Sequence, residues 1–417
     1  MAISKRISDI YSRSTVFVNK DILKKGHHPG SLDEVLHRDR IIDRYLTFLK
    51  DVTIGKVPDN VLVYGTFGTG KTMLTKMITS ELALAVEQQG NKIIVIYIYC
   101  ETVSAPVLIM RRINKSIIDK MPDMMNKRVG MSKDANFSYF YELVNKANVP
   151  ILIIFDEIDK LKNPDIINEL SRIKECEFTK NNVCIIGVTN DTNFYSNLDG
   201  RTKSIIGQNE LFIPPYNADE LNDILKSRAE LAFIEGCYEK TVIPYCSAIG
   251  AQENGDARIA IDMLRAAGDI ADQRSSNVIE EKDAKAARYL IEMNRQLEVV
   301  RGLPTQTKCV LFACVYRYED SGFDVEMTAV YKLYLKICSI ISIDPVTQRR
   351  VNDYIGELND LGILSVNKIS RGRRRGVFNS IKPLADAWEI EEIILHDYRF
   401  QQLQILMSES FITDFQL

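Results

Sequence analysis

Two kinds of apolar pattern follow one another along the chain. Before Pro214-Pro215, short continuous apolar runs occur at residues 61–64, 92–100, 151–155 and 183–189. Runs of this length without alternation predict strands buried on both faces, as in a parallel sheet covered by helices. Between the first two runs, Leu74, Met77, Ile78, Leu82 and Ala85 recur at helical spacing from Met73 onward. After Pro214-Pro215 the pattern is wholly helical. Leu221, Ile224, Leu225 and Arg228 open one helix, and residues 258–270 form another, with Ile259, Ile261, Leu264 and Ala267 in period. Gly250 and Asn254-Gly255-Asp256 punctuate them. Residues 280–297 read as a long charged helix, and Arg301-Gly302-Leu303-Pro304 is the candidate hinge.

Beyond the hinge the pattern predicts three helices, at residues 305–318, 325–340 and 347–361. The third carries Val351, Tyr354, Ile355, Leu358 and Leu361 on one face, with Gly362 as its stop. Two short strands, 363–370 and 377–381, then flank Arg371-Gly372-Arg373-Arg374-Arg375-Gly376. Three helices followed by a hairpin is the order of a winged helix.

Length and composition narrow the reading. A chain of 417 residues exceeds one compact core and implies two or three domains. No apolar run approaches the ~18 residues of a membrane span, and residues 1–17 read as an ordinary arm, so a cytoplasmic protein without membrane contact is expected. Eight cysteines occur singly with no Cys-x-x-Cys, which favours buried thiols over metal ligation. A net charge of −3 excludes a uniformly basic surface. Charge is instead local: between residues 346 and 382, eight basic side chains (Arg349, Arg350, Lys368, Arg371, Arg373, Arg374, Arg375, Lys382) face three acidic ones. Thr347, Gln348, Arg349 and Arg350 open the third helix, the end that enters a major groove in helix-turn-helix binders. The arginine loop can follow the backbone or the minor groove. A solvated basic hairpin or a nuclear-import signal is the alternative.

Candidate chemistry sits at the strand ends. Gly65-Thr66-Phe67-Gly68-Thr69-Gly70-Lys71-Thr72 follows the first run at once. Such glycines let backbone N–H groups turn toward phosphate oxygens, Lys71 neutralises the β- and γ-phosphates, and the Thr72 hydroxyl suits Mg²⁺. The run at 151–155 ends in Asp156-Glu157, where Asp156 would hold Mg²⁺ through water and Glu157 would polarise the attacking water. Asn190, ending the fourth run, either orients that water or forms an ordinary Asn-Asp turn.

With these motifs the chain resembles the archaeal replication initiators, relatives of the largest subunit of the eukaryotic origin recognition complex and of its helicase-loading partner. The likeness spans residues 17–383. Beyond the motifs above, it rests on His37-Arg38-Asp39, Gly187-Val188-Thr189-Asn190-Asp191, Leu198-Asp199-Gly200-Arg201, Phe212-Ile213-Pro214-Pro215-Tyr216 and Gly255-Asp256-Ala257-Arg258. The resemblance implies an α/β AAA+ P-loop domain on a parallel five-stranded sheet (residues 1–215), a helical lid (216–300) and a C-terminal winged-helix DNA-binding domain (301–417). It makes Asn190 sensor 1, Arg258 the sensor 2 arginine of the lid, and Arg201 an arginine finger for a neighbouring subunit's nucleotide, or else a surface ion pair. Ser204-Ile205 departs from the two serines usual after the finger. His37 and Arg38 would line the adenine pocket, and Tyr216 and Ile224 would pack on the nucleotide from the lid. A basic helical insertion after the second strand, with Arg111, Arg112 and Lys115, would add a DNA contact or be a solvated face.

The activity so implied is slow, Mg²⁺-dependent hydrolysis of ATP to ADP as a switch, in a nucleoid-associated archaeal protein. Its partners would be double-stranded origin DNA, the replicative helicase and paralogous initiator subunits. A clamp-loader-like or transposition-helper ATPase is the alternative; a regulator with purely structural ATP is opposed by Glu157 and Arg201.

Overall fold

The continuous apolar runs are continuous because their side chains alternate between two separate cores. In the computed structural model they form strands β1 (Val61–Tyr64), β2 (Ile94–Tyr99), β3 (Ile151–Asp156) and β4 (Val183–Thr189), and a fifth strand outside those runs, β5 (Asn209–Phe212), joins them. The order is β2-β3-β4-β1-β5, and every pairing is parallel, as expected of an AAA+ sheet. Along β3, Ile151, Ile153 and Phe155 enter one core, while Leu152 and Ile154 enter the other. Fully burying each such side chain stabilises by about 1.5–3 kcal/mol, so an interior strand has no tolerance for a polar residue before its end. The structure describes residues 14–24, 26–121, 132–171, 182–321, 325, 327–370 and 377–408. They fall into two compact units, the first ending at Lys285 and the second starting at Ala286.

In the first unit, helices α1 (Asp39–Leu49) and α2 (Lys71–Gln88) cover one face of the sheet. Helices α3 (Pro106–Lys120), α4 (Lys133–Ala147), α5 (Asp165–Ser171), α6 (Phe194–Asn197) and α7 (Gly200–Ile206) belong to the other side. The strand registers align the carboxyl ends: Tyr64 pairs with Thr189, and Asp156 with Val188. Gly65, Glu157 and Asn190 therefore leave neighbouring strands at one edge, the edge at which parallel sheets bind ligands.

Three helices follow: α8 (Ala218–Ala232), α9 (Val242–Gln252) and α10 (Ala257–Gln273). Asn217 and Glu220 cap α8 reciprocally, and the Asp256 carboxylate caps α10 by accepting from the Arg258 amide at 2.9 Å. Helix α11 (Glu281–Gly302) runs five residues past the end expected at 297. It stops only where Pro304 removes a donor and restricts the residue before it.

The second unit continues with α12 (Thr305–Ser321), α13 (Met327–Ile340), α14 (Gln348–Asp360), β6 (Leu364–Ser370), β7 (Val377–Pro383), α15 (Ala387–Leu395) and α16 (Gln401–Ser408). β6 and β7 pair antiparallel with Ser370 opposite Val377, the hairpin of a winged helix. Val351, Ile355 and Leu358 of α14 are buried as expected, but Leu361 is half exposed. It lies beyond the helix, at the turn where Gly362 takes φ +69°. Helices α15 and α16 add Ile390, Ile394 and Leu403 to the core. Seven of the eight cysteines lie among the described residues, and all seven are buried. No described helix is long and apolar enough to cross a membrane.

Candidate nucleotide site and nucleic-acid surface

The loop between β1 and α2 is shaped by three glycines with positive φ: Gly65, Gly68 and Gly70. At Gly68 (φ +71°) a Cβ would lie 1.7 Å from the Asp256 carboxylate, so the loop and the start of α10 touch through the space a side chain would fill. Lys71 is 4 % exposed, and its Nζ donates to the Thr66 carbonyl at 2.5 Å and the Thr69 hydroxyl at 3.4 Å. Burial, helped by Arg258 nearby, pulls it down to about 8. A buried cation whose hydrogen-bond partners are neutral oxygens suits an anion. The Thr66 hydroxyl oxygen is likewise buried without a hydrogen-bond partner.

Facing this loop are the carboxylates. Thr72 Oγ1 donates to Asp156 Oδ1 at 2.9 Å, a hydroxyl and a carboxylate of the kind Mg²⁺ selects. Burial raises Asp156, and burial followed by Glu101, Asp156 and Asp159 raises Glu157. Glu157 adopts φ +56°, which turns the chain sharply out of β3. Asp159 accepts from the Thr189 hydroxyl at 2.7 Å and so ties this turn to the end of β4. From the lid side, Arg258 Nη2 donates to Asp256 Oδ2 at 2.7 Å and Nε to Oδ1 at 3.1 Å, and this pairing raises the guanidinium.

These groups line one cavity of about 500 Å³, which Gly68, Gly70, Lys71, Thr72, Glu157, Asn190, Tyr216, Ile224 and Arg258 share. Its remaining wall was not foreseen: Ile22, Lys24, His27, His28, Pro29, Val35 and Leu36 line it, with Ser227, Arg228 and Leu231 of α8. That segment matches no motif; the density of cations and turn formers in Lys24-Lys25-Gly26-His27-His28-Pro29 was the one signal available.

His37 and Arg38 are placed behind the wall and do not line it. Arg38 is 2 % exposed, stacks its guanidinium 3.6 Å from the Tyr216 ring centre, and donates from Nη2 to the Pro214 carbonyl at 2.8 Å. It thus fixes Tyr216 at the junction of sheet and lid. His37, at φ +60°, meets the Asp223 carboxylate of α8 at 3.0 Å. Arg201 stands exposed in the first turn of α7, which Asp199 caps, and is not part of the cavity lining. Gly65, Thr66, Thr69 and Asp156 support the lining from the loop and strand end.

On α3, Arg111, Arg112 and Lys115 are exposed, while Ile109, Met110, Ile113 and Ile117 are buried. In the second unit, Thr347 caps α14, and Gln348, Arg349 and Arg350 occupy its exposed first turn. Arg350 lies over the Tyr354 ring at 4.6 Å and within 3.6 Å of Asp353 and Glu357, so it is partly neutralised on its own helix. Arg371, Arg373, Arg374 and Arg375 lie outside the described residues.

Comparison with known proteins finds three family matches along the chain. Residues 56–191 match an AAA domain, 222–289 the Cdc6 AAA+ ATPase-type lid domain, and 298–393 the CDC6 C-terminal winged helix domain. ORC1-type DNA replication protein 1 of Methanosarcina acetivorans is 37 % identical over 393 residues, which are 93 % of this chain and 92 % of that one. The ORC1-type DNA replication protein of Pyrococcus furiosus is 35 % identical over 398 residues, 95 % and 93 % of the two chains. The Aeropyrum pernix ORC1 protein, solved in complex with DNA, aligns over 94 % of this chain and all of that one, with a TM-score of 0.71 and 32 % identity. With an AAA+ sheet, a Cdc6-type lid and a winged helix in one continuous match, the chain belongs to the archaeal ORC1-type (Orc1/Cdc6) family of DNA replication proteins.

Proposed function

We propose that the protein is an ATP-regulated replication initiator that binds duplex origin DNA, deforms it, and helps recruit or load the replicative helicase. The supporting observation is the convergence of Lys71, Thr72, Glu157, Asn190 and Arg258 on one cavity, in a chain that also carries a winged helix with an arginine-rich first turn on α14. The three functional parts are the core (1–215), the lid (216–300) and the winged helix (301–417).

In this reading the Gly65–Thr72 loop and Lys71 hold the phosphates of ATP or ADP. Thr72 and Asp156 would hold Mg²⁺, which would supply positive charge against the phosphates. Glu157, raised by burial and its acidic neighbours, accepts a proton from the attacking water, and Asn190 orients that water. Arg258 exchanges its Asp256 partner for phosphate oxygens, so lid position reports the nucleotide state. Tyr216 and Ile224 pack on the nucleotide, with Arg38 and His37 holding the wall behind them. Arg201, outside the cavity, serves a paralogous subunit's nucleotide, which makes an isolated monomer a slow ATPase. Duplex DNA is met by Thr347, Gln348, Arg349 and Arg350, by the loop arginines Arg371, Arg373, Arg374 and Arg375, and by Arg111 and Arg112 of α3. The protein would accordingly associate with the nucleoid.

Fluorescence anisotropy with candidate origin and scrambled duplexes, at two salt concentrations and with ATP or ADP, tests this. Origin DNA should bind more tightly. Replacing Arg373 and Arg374 by Ala should reduce the slope of log affinity against log salt by about one for each phosphate no longer neutralised. No binding by the intact protein would favour a protein-remodelling ATPase, and an unchanged slope would remove the wing from the interface.

A further inference from the structure

The cavity wall opposite the phosphate loop belongs mechanically to the lid. Residues 14–24 and 26–28 run along the lid helices as a strap. At its start, the Thr15 amide and hydroxyl donate to Asp272 of α10 at 2.9 and 2.8 Å. The Val18 and Asn19 amides both donate to the Ala232 carbonyl ending α8, at 2.8 and 3.0 Å. The Phe17 ring packs 5.0 Å from Phe233 and against Gly268, where a Cβ would come within 2.4 Å of it. Lys20 pairs with Asp269 at 2.5 Å. Beyond Pro29-Gly30 the chain is tied to the core, where the Leu32 amide donates to Glu81 of α2 at 3.0 Å.

In the cavity-facing part of the strap, Leu23 is buried, and one lid side chain reaches the main chain at both ends, Ile22 and His27. Arg228 Nη1 donates to the Ile22 carbonyl at 2.6 Å, and Nη2 to the His27 carbonyl at 3.1 Å. A guanidinium can span carbonyls five residues apart because its donors diverge in a fixed plane; an ammonium is a single point. Arg228 is half-buried, and that burial lowers it, so its hydrogen-bonding capacity is directed at main-chain oxygens. Ile224, Ser227 and Leu231 on the same helix line the cavity beside it.

On the reading of this cavity as a nucleotide site, we infer that Arg228 is a positioning residue: it locks the strap to the lid, so that wall and lid open as one body, and it thereby sets how fast bound nucleotide leaves. Nucleotide can pass the strap only if the strap parts from α8 or the whole lid swings. Removing the clamp opens the first route without touching the phosphate contacts.

The test uses the full chain loaded with a fluorescent ADP analogue and chased with ADP, together with hydrogen exchange of the loaded protein. Arg228→Ala should release the analogue at least about tenfold faster, as expected when two charge-assisted hydrogen bonds are removed. Exchange should rise at amides 22–24 and 26–28 and stay unchanged in β1 and β3. Arg228→Lys, which keeps the charge and folds under the same constraints, should fall between. Unchanged release with a loosened strap, or an unchanged strap, in either variant overturns the clamp. Lys71→Ala separates the premises: it should weaken ADP binding while leaving strap exchange unchanged. If the wild type fails to bind ADP, or Lys71→Ala binds it equally, the nucleotide reading falls and the clamp with it.

Discussion

In the first unit, groups drawn from Ile22 to Ile261 converge on one cavity, and much of what lines or backs it is buried or pinned. In the second unit, the basic side chains that open α14 stand in solvent on a single helix turn, and one of them already leans on its own helix's carboxylates. The difference is one of tolerance. The cavity gathers single, specifically placed groups, so one substitution there should remove most of an activity. A basic face works through summed charge in water, where each charge contributes modestly and salt weakens all of them.

The sharpest way to break this contrast is Glu157→Gln. It keeps the size and the φ +56° turn out of β3 but removes the proton acceptor. Steady-state turnover should fall by about 10²- to 10⁴-fold, with ADP affinity by calorimetry unchanged. Surviving turnover would mean that the catalytic carboxylate is another group, and that the cavity tolerates more than its geometry implies.

Next in size is Gly68→Ala. At Gly68 the glycine requirement has two physical sources. Its φ of +71° carries about 1–2 kcal/mol of strain for an L-residue. A methyl group would also displace the Asp256 carboxylate from the α10 cap, a cap of the kind typically worth about 1 kcal/mol, and from Arg258. ADP binding should weaken by roughly ten- to a hundredfold, corresponding to about 1.4–2.8 kcal/mol. The loss should be smaller when measured in an Asp256→Ala background, because the collision partner is gone. Equal losses in both backgrounds would place the effect in the phosphate loop alone.

That pair also marks where sequence reading stopped. The phosphate loop, Asp156-Glu157 and Asn190 were legible because each follows a buried strand whose apolar run fixes its place on the sheet edge. Four of the five parallel strands and the winged-helix order were legible for the same reason, periodicity imposed by burial; β5, Asn209–Phe212, carries no such run and was expected only from the family resemblance. The Gly68–Asp256 contact was not, since residues 188 positions apart meet only when the lid is placed. Nor was the strap: Arg228 binds main-chain carbonyls of Ile22 and His27, and a carbonyl leaves no trace in a sequence. The motif around Arg38 points to a pocket residue, but its place behind Tyr216 depends on where Pro214 turns the chain.

The mildest effect on function should come from the second unit, and from its core instead of its basic face. Glu391 of α15 is 8 % exposed, its Oε1 has no hydrogen-bond partner, and burial, with Glu319 adding, pushes it up to about 7. The raised value means that the folded unit binds a proton the unfolded chain releases. No penalty exists below the ordinary value near 4.5, a penalty accumulates between there and about 7, and above that it is constant. The unit should therefore be less stable near neutral pH than in mild acid, by about 2–3 kcal/mol. The chain's single tryptophan, Trp388, stands three residues away on the same helix and reports this unit's unfolding in urea. Glu391→Gln should abolish most of the pH slope and raise the midpoint above neutrality while leaving DNA affinity unchanged. A slope that survives the substitution would locate the titrating group elsewhere. A DNA affinity that moved with it would mean that the basic face is coupled to the core behind it, and that the two units are less different in tolerance than their surfaces indicate.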